Sequence, residues 1–280
     1  MAYKTILVHL NDPRRAKRLL DAAVPLARSM GAHLVGLSVM PPFVVIPGMD
    51  GGGASVTVDE HRMAYVEEAK EMKAIFNEAT SDLPRPAEWR DEDAGFGSIA
   101  SMVIDAARSV DLVVASQPDP AWLNSSLRED PVRLAIEGGR PTLLVPNEGK
   151  TNLPARRALV AWNGTREAAR AVFDAIPLLK DTQDVGVVWI NPEKSGGQAG
   201  DLPAADICAA LSRHGMKCQG IEAHALGGDA GHELLRQATA FGADILVMGC
   251  YGHSRLREFV LGGASRDVLS RMTLPVLMSH

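Results

Sequence analysis

The chain has few cysteines, no large excess of one charge and no long apolar segment. Its 280 residues include three cysteines, Cys208, Cys218 and Cys250, which form no metal-ligand spacing and cannot all pair, as is typical of a reducing compartment. The net charge of −5 gives no reason to expect a nucleic-acid or membrane surface. The first residues contain no apolar segment of secretory length, and no run approaches a membrane span. We therefore expect a soluble, cytoplasmic protein that binds neither nucleic acid nor membranes and has no metal site of its own.

The two halves of the chain resemble one another. Residues 5–12 align with residues 157–164 at an offset of 152, and residues 111–114 align with 244–247 at an offset of 133. The difference between the offsets, 19 residues, is extra length in the first half, and the Pro- and Gly-rich stretch 40–55 is its expected place. We predict two domains, residues 1–147 and 156–280, joined by a polar linker.

Each half alternates short apolar strands with helical patterns. In the second half, the predicted strands are 158–162, 185–190, 217–222, 245–248 and 275–278, and the predicted helices are 165–179, 204–214, 230–241 and 265–272. The first half repeats this order, with a helical pattern over 57–79. Regular alternation of this kind predicts an α/β fold, with a parallel sheet covered by helices on both faces. In such sheets, ligands bind beyond the carboxyl ends of the strands, where the strand order reverses.

A glycine-rich segment follows the predicted strand near the end of the chain. Residues 248–252 read Met-Gly-Cys-Tyr-Gly, and nine residues later positions 262–265 read Gly-Gly-Ala-Ser. Glycines at a strand's carboxyl end and at the next helix's start let backbone N–H groups approach an anion, and the helix dipole favours negative charge there. The pattern predicts a polyphosphate site; the alternative is a pair of surface turns around a connecting segment.

This segment resembles the nucleotide loop of the universal stress protein family, Gly-x2-Gly-x9-Gly followed by Ser or Thr. Gly249, Gly252 and Gly262 match its three glycines, whereas Gly263 stands where the family usually has Ser or Thr. The resemblance covers the chain as a tandem pair. It implies two similar Rossmann-like domains, each a five-stranded parallel sheet flanked by helices, forming a pseudo-dimer in which the terminal strands 142–145 and 275–278 are neighbours. The implied ligand is ATP, with Mg²⁺ as a candidate companion ion.

Ten residues form the candidate nucleotide site. Asn163 stands where family members commonly have an Asp that contacts the nucleoside; it also fits a turn before a helix cap. The resemblance implies an adenine contact with the backbone near Val188, and Arg255 carries the permanent charge and paired donors that suit phosphate. Ser265 fits either a helix N-cap or a phosphate contact. The full set is Asn163, Val188, Met248, Gly249, Gly252, His253, Arg255, Gly262, Gly263 and Ser265.

The first half has lost the glycines of this loop. At the offset of 133, the four glycines correspond to Ser116, Asp119, Glu129 and Asp130. Residues 249–271 carry a net charge of +2, whereas residues 116–138 carry −2. Carboxylates repel phosphate and lack the backbone freedom of glycine, so we expect nucleotide binding in the second half only.

No catalytic residue is assigned. The chain has no Gly-x4-Gly-Lys-Ser/Thr motif, no Lys in the glycine-rich segment and no paired carboxylates beside it. The leading hypothesis is a stress-response regulatory protein that binds ATP and hydrolyses it slowly at most. The alternatives are a slow ATPase or nucleotidyl transferase on the same fold, and a stress scaffold without nucleotide, because Asn163 and Gly263 depart from the family pattern. Formation of a homodimer and the identity of a downstream protein partner are left open.

Overall fold

The computed structural model describes residues 2–42, 54–95, 97–119, 131–195, 204–225, 229–250 and 263–280, with the backbone alone at 54–62 and 194–195. The described strands are β1 (Thr5–His9), β2 (His33–Met40), β3 (Glu88–Asp93), β4 (Leu112–Ser116), β5 (Thr142–Val145), β6 (Arg157–Ala161), β7 (Asp184–Ile190), β8 (Cys218–Ala223), β9 (Ile245–Gly249) and β10 (Val276–Ser279). The described helices are α1 (Pro13–Met30), α2 (Ala54–Thr80), α3 (Ile99–Ala107), α4 (Pro131–Glu137), α5 (Arg166–Leu179), α6 (Ala205–Arg213), α7 (Ala230–Phe241) and α8 (Gly263–Arg271), with a 3₁₀ turn at Pro192–Ser195.

The ten strands form one sheet in the order β3-β2-β1-β4-β5-β10-β9-β6-β7-β8. The order reads as two equivalent five-stranded halves, and every described ladder is parallel except the central one. There β5 and β10 pair antiparallel, with Val276 opposite Leu144 and Met278 opposite Thr142. The predicted α/β fold and the predicted pairing of the terminal strands are confirmed. Division into domains at 1–147 and 156–280 stays a prediction, and these ranges are called the first half and the second half below.

Both faces of the sheet are buried along its inner strands, which explains why these strands read as apolar runs, whereas the edge strands β3 and β8 are polar and partly exposed. In β1, Ile6 and Val8 belong to one core and Leu7 to the other, and all three are fully buried. Helices α1, α2, α5 and α6 cover the first core, and α3, α4, α7 and α8 cover the second. None of the described helices is both long and apolar enough to cross a membrane.

The extra length of the first half lies in helix α2. This helix has 27 residues, whereas its counterpart α6 has 9. The connections that precede them, 41–53 and 191–204, are nearly equal in length, so the prediction that residues 40–55 hold most of the insertion is wrong. Met72 and Phe76 of α2 are buried four residues apart, as Ile207 and Leu211 of α6 are. The added turns therefore precede about residue 70 of α2.

Polar contacts join the two halves beside the central strands. The Tyr3 hydroxyl donates a 2.5 Å hydrogen bond to the Asp174 carbonyl oxygen. Gln117 Nε2 donates to the Leu269 carbonyl oxygen at 2.6 Å in a buried environment, and Gln117 Oε1 accepts from Asn147 N at 2.8 Å. Because these groups are buried or half-buried in the folded chain, their hydrogen bonds offset the cost of removing them from water.

Candidate functional site

The candidate site lies where the strand order of the second half reverses. Strand β6 lies between β7 and β9, so that Val160 is opposite Val187 on one side and Val247 on the other. The chain leaves β6 just before Asn163 and ends β9 at Gly249, and these two residues therefore emerge at the same edge of the sheet. Parallel sheets bind ligands in the crevice at such a switch point.

Asn163 forms a turn that leads into helix α5. Its exposed side chain accepts hydrogen bonds through Oδ1 from Thr165 N at 3.2 Å and from the Thr165 hydroxyl at 2.9 Å. Thr165 Oγ1 in turn accepts from Ala168 N at 3.3 Å and caps the helix. The turn-and-cap interpretation is thus confirmed. These bonds use only the oxygen of the Asn163 side chain, so its Nδ2 is the group that suits an acceptor atom of a ligand. A contact between Asn163 and a nucleotide stays a prediction.

Gly249 is a point of close packing between β9 and helix α5. A Cβ atom at this position would lie 2.5 Å from the carbonyl carbon of Glu167 and 2.6 Å from Ala168 N. The first turn of α5 therefore rests directly on the end of the strand, which only glycine permits. The positive end of the α5 dipole lies at the same edge of the sheet as a result.

We expect Gly249→Ala to destabilise the protein by roughly 1–3 kcal/mol, because the added methyl group forces α5 away from β9. A lower midpoint of thermal unfolding would be the measurement. Gly263→Ala is the matched control, since a Cβ there meets no atom of the described residues within 4 Å, and we expect little change in its melting temperature. Equal melting temperatures for wild type and Gly249→Ala would contradict the packing argument.

Helix α8 begins at Gly263, and this places Ser265 inside its first turn. Gly263 is exposed, whereas Ser265 is buried at 5% exposure. The prediction that Ser265 is an N-cap is wrong, because Gly263 and Ala264 already belong to the helix. The backbone N–H groups of this first turn have no intrahelical acceptor and are the kind of donors that bind an anion.

Val188 and Met248 lie beneath the crevice rather than at its surface. Both side chains are buried, and the Val188 carbonyl oxygen accepts a hydrogen bond from Trp162 N at 2.8 Å. A ligand at this edge would meet Asn191 first, a residue that sequence reasoning missed. Asn191 has a φ of +51°, and its Oδ1 accepts from Ala225 N at 2.9 Å. Asparagine tolerates this left-handed conformation, and that preference after a strand is the signal that could have identified it.

Four of the ten predicted site residues, Gly252, His253, Arg255 and Gly262, lie outside the described residues. Their contribution to the site stays a prediction from the sequence.

A buried carboxylate lies beside Gly249. Burial by itself would raise the pKa of Glu167. Hydrogen bonds and the positive charge of Arg166 together have a larger, opposite effect, so the pKa of Glu167 lies below its usual value. Burial, and then the charge of Glu167, raises the pKa of the neighbouring Cys250 thiol to about 12. Cys250 is therefore protonated at neutral pH, and its Sγ contacts the Ser279 carbonyl oxygen at 3.5 Å.

In the first half, an ion pair of the chain itself lies at the position in the crevice that corresponds to Gly252. Arg15 of α1 contacts Asp119, the counterpart of Gly252, at 2.7 Å, and donates to the Gln117 carbonyl oxygen at 3.3 Å. Asn11 Nδ2 donates to the Ser116 hydroxyl at 3.3 Å and so connects the ends of β1 and β4. The guanidinium group that would attract a phosphate here is already neutralised by a carboxylate.

A model of the universal stress protein family matches residues 154–280. The second half of the chain therefore carries a universal stress protein domain. The chain is 28% identical over 140 residues to a universal stress protein of Synechocystis sp., covering 49% of this chain and 46% of that relative. It is 26% identical over 143 residues to one of Bacillus subtilis, covering 44% of this chain and 97% of the relative. The alignment thus spans about half the length of the Synechocystis relative.

Among solved structures, a universal stress protein of Archaeoglobus fulgidus DSM 4304 matches with a TM-score of 0.75 and 16% identity. The match covers 98% of this chain and 95% of that one. At this identity the likeness demonstrates a shared fold, and it extends over both halves of this chain.

Proposed function

We propose that this chain is a universal stress protein, a stress-response regulatory protein that binds ATP in the crevice between β6 and β9. The observation that carries the proposal is the pair Gly249 and Gly263, which flank the segment 250–262. Gly249 ends a strand that helix α5 contacts, and Gly263 opens helix α8 at a position where an added Cβ would meet none of the residues that the structure describes. Two helix N-termini at one switch point favour a polyphosphate, because both present backbone N–H donors and positive dipole ends.

The contrast between the halves supports this assignment. The residue equivalent to Gly252 is Asp119 in the first half, and there its carboxylate pairs with Arg15. Glu167 is the second-half residue equivalent to Arg15 at the offset of 152. The first half thus has its own ion pair at the position of Gly252, whereas in the described part of the second half no such pair lies across the crevice.

ATP suits the groups present if a cation accompanies it. Gly263 leaves room for a phosphate, and Asn163 offers an amide donor for ribose or base. The ionised Glu167 would repel the phosphates, so Mg²⁺ or the nearby Arg166 would have to offset its charge. We therefore expect tighter binding with Mg²⁺ than without it.

We expect isothermal titration of the full chain with MgATP to give one site per chain. The physical reason is that only the second half keeps the glycines. Two equivalent sites per chain would contradict the assignment. Absence of binding, together with absence of nucleotide in mass analysis of the purified protein, would favour the alternative of a scaffold without nucleotide. Timed release of ADP or pyrophosphate would favour a slow ATPase or nucleotidyl transferase.

A further inference from the structure

The first half contains a cavity of about 340 Å³ at the carboxyl ends of β1, β2 and β3, beneath helix α2. Its walls are largely apolar and include Leu10, Val39, Met40, Val66, Met72 and Ile99. Small-molecule sites typically have volumes of about 300–1,000 Å³, so this cavity suits a ligand smaller than ATP.

The roof of the cavity consists of the added turns of α2. Tyr65, Val66 and Ala69 line it, and all three precede residue 70, in the part of α2 that has no equivalent in α6. The added length therefore closes a space above the sheet that the second half does not enclose in the same way. A helix extension that covers a mainly apolar space, rather than filling it with side chains, points to a binding site.

The charges around the cavity disfavour an anion. Three carboxylates line it, those of Glu68, Asp91 and Glu92, together with two lysines. Lys73 lies 3.9 Å from Asp91 and Lys70 lies 2.7 Å from Glu67, so each lysine already faces a carboxylate. In addition, Arg15, a cation near the end of the neighbouring strand β4, is already paired with Asp119. The polar groups deeper in the cavity are neutral: the Asn11 amide and the Ser38 hydroxyl.

We propose that this cavity is a second ligand site, specific for a neutral and mainly apolar small molecule with one or two hydrogen-bonding groups. The apolar walls bind the body of the ligand through the hydrophobic effect, and Asn11 and Ser38 orient its polar end. The cavity is the first-half counterpart of the Asn163 side of the crevice, since Asn11 corresponds to Asn163 at the offset of 152. It is separate from the nucleotide crevice of the second half, and it does not depend on nucleotide binding.

The test is a fluorescence titration of the full chain with N-phenyl-1-naphthylamine, a neutral apolar probe. We expect saturable binding of one probe per chain that excess MgATP does not displace. Ala69→Phe fills the roof and Ser38→Phe fills the floor, and each should weaken probe binding about tenfold or more. Ala74→Phe places the same side chain on an exposed position of α2 and should leave probe affinity unchanged.

Circular dichroism identifies the variants that remain folded. Loss of probe affinity in either folded cavity variant, with affinity retained in Ala74→Phe, supports the site. The proposal is overturned by non-saturable binding, by displacement of the probe with MgATP, or by wild-type affinity in both cavity variants. Two variants from opposite walls keep the test decisive if one of them fails to fold.

A different observation concerns two cysteines at the other end of the sheet. Cys208 of α6 and Cys218 at the start of β8 are free, with their Sγ atoms 2.9 Å apart. Both are partly exposed, whereas Cys250 is buried. The hydrogen bond from Cys218 lowers the pKa of Cys208, which favours the thiolate that reacts with oxidants.

We infer that Cys208 and Cys218 form a reversible intrachain disulfide by exchange with a low-molecular-weight disulfide. The Cys208 thiolate attacks one sulfur of that oxidant, forms a mixed disulfide and releases the first small thiolate. Cys218 then loses its proton, attacks the Cys208 sulfur and displaces the second small thiolate. In total, the protein dithiol gives two electrons and two protons to the oxidant, and α6 becomes covalently joined to the edge strand β8.

Oxidised glutathione is the probe, and intact mass after blocking free thiols is the measurement. We expect the full chain to lose two hydrogens and to keep one blockable thiol, Cys250, after unfolding. Cys218→Ser should instead accumulate a stable glutathione adduct on Cys208. Three remaining thiols, or an adduct that persists on Cys208 of the wild-type chain, would overturn the inference.

Discussion

Gly252→Asp is expected to abolish ATP binding while the chain remains folded. The change introduces the residue that the first half carries at the equivalent position, Asp119, which the first half accommodates as the partner of Arg15. It places a negative charge beside the phosphates and removes the backbone freedom of glycine. A single charge-assisted contact to a phosphate contributes about 1.5–3 kcal/mol, so loss of even one weakens affinity about tenfold or more. Isothermal titration with MgATP is the measurement.

Gly252→Asn is the matched control for this experiment. Asparagine has the same size as aspartate but no charge, and it adopts left-handed backbone conformations more readily than most residues. We therefore expect Gly252→Asn to weaken ATP binding less than Gly252→Asp does. Wild-type affinity in folded Gly252→Asp would show that the loop does not hold the phosphates.

Acid is expected to destabilise the protein through His9 at the end of β1. This side chain is 4% exposed, its Nε2 has no hydrogen-bond partner in the described part of the chain, and burial lowers its pKa from 6.5 to about 4. Between these two pH values the unfolded chain binds a proton that the folded chain does not. The stability that neutral His9 provides is therefore complete above about pH 6.5 and is lost as the pH falls towards 4, a change of roughly 3 kcal/mol.

Denaturant unfolding of wild type and His9→Leu at several pH values between 4 and 7 tests this. Other groups titrate over the same range, so the quantity of interest is the difference between the two proteins. We expect the free energy of unfolding of His9→Leu to fall less steeply with acid. His232→Leu removes an exposed histidine and should retain the wild-type slope. If the free energies of unfolding of wild type and His9→Leu changed equally with pH, His9 would bind its proton equally well in the folded and the unfolded chain, which contradicts the prediction.

Local patterns were sufficient to predict the elements and most of their order. Alternating apolar strands and amphipathic helices predicted the parallel sheet, and the resemblance to the universal stress protein family implied that β5 and β10 are neighbours. The start of α8 was predicted two residues late, because glycine is a poor helix former and the pattern assigned Gly263 to the loop. Packing on α7 outweighs that preference: a Cβ at Gly231 would lie 2.6 Å from the Cβ of Asp267.

The sequence by itself determined the repeat, the two-faced burial of the strands, and the loss of glycines from one loop and their retention in the other. Only the tertiary structure decided what Asp119 pairs with, because Arg15 is 104 residues away and nothing local connects them. The tertiary structure also decided the packing of Gly249, because the residue of α5 that it contacts, Glu167, is 82 residues earlier in the chain. The periodicity of the α2 extension likewise predicts a helix, but it does not predict the cavity beneath that helix. Secondary structure follows from interactions within a few residues, whereas a site is made by side chains that folding brings together from distant positions.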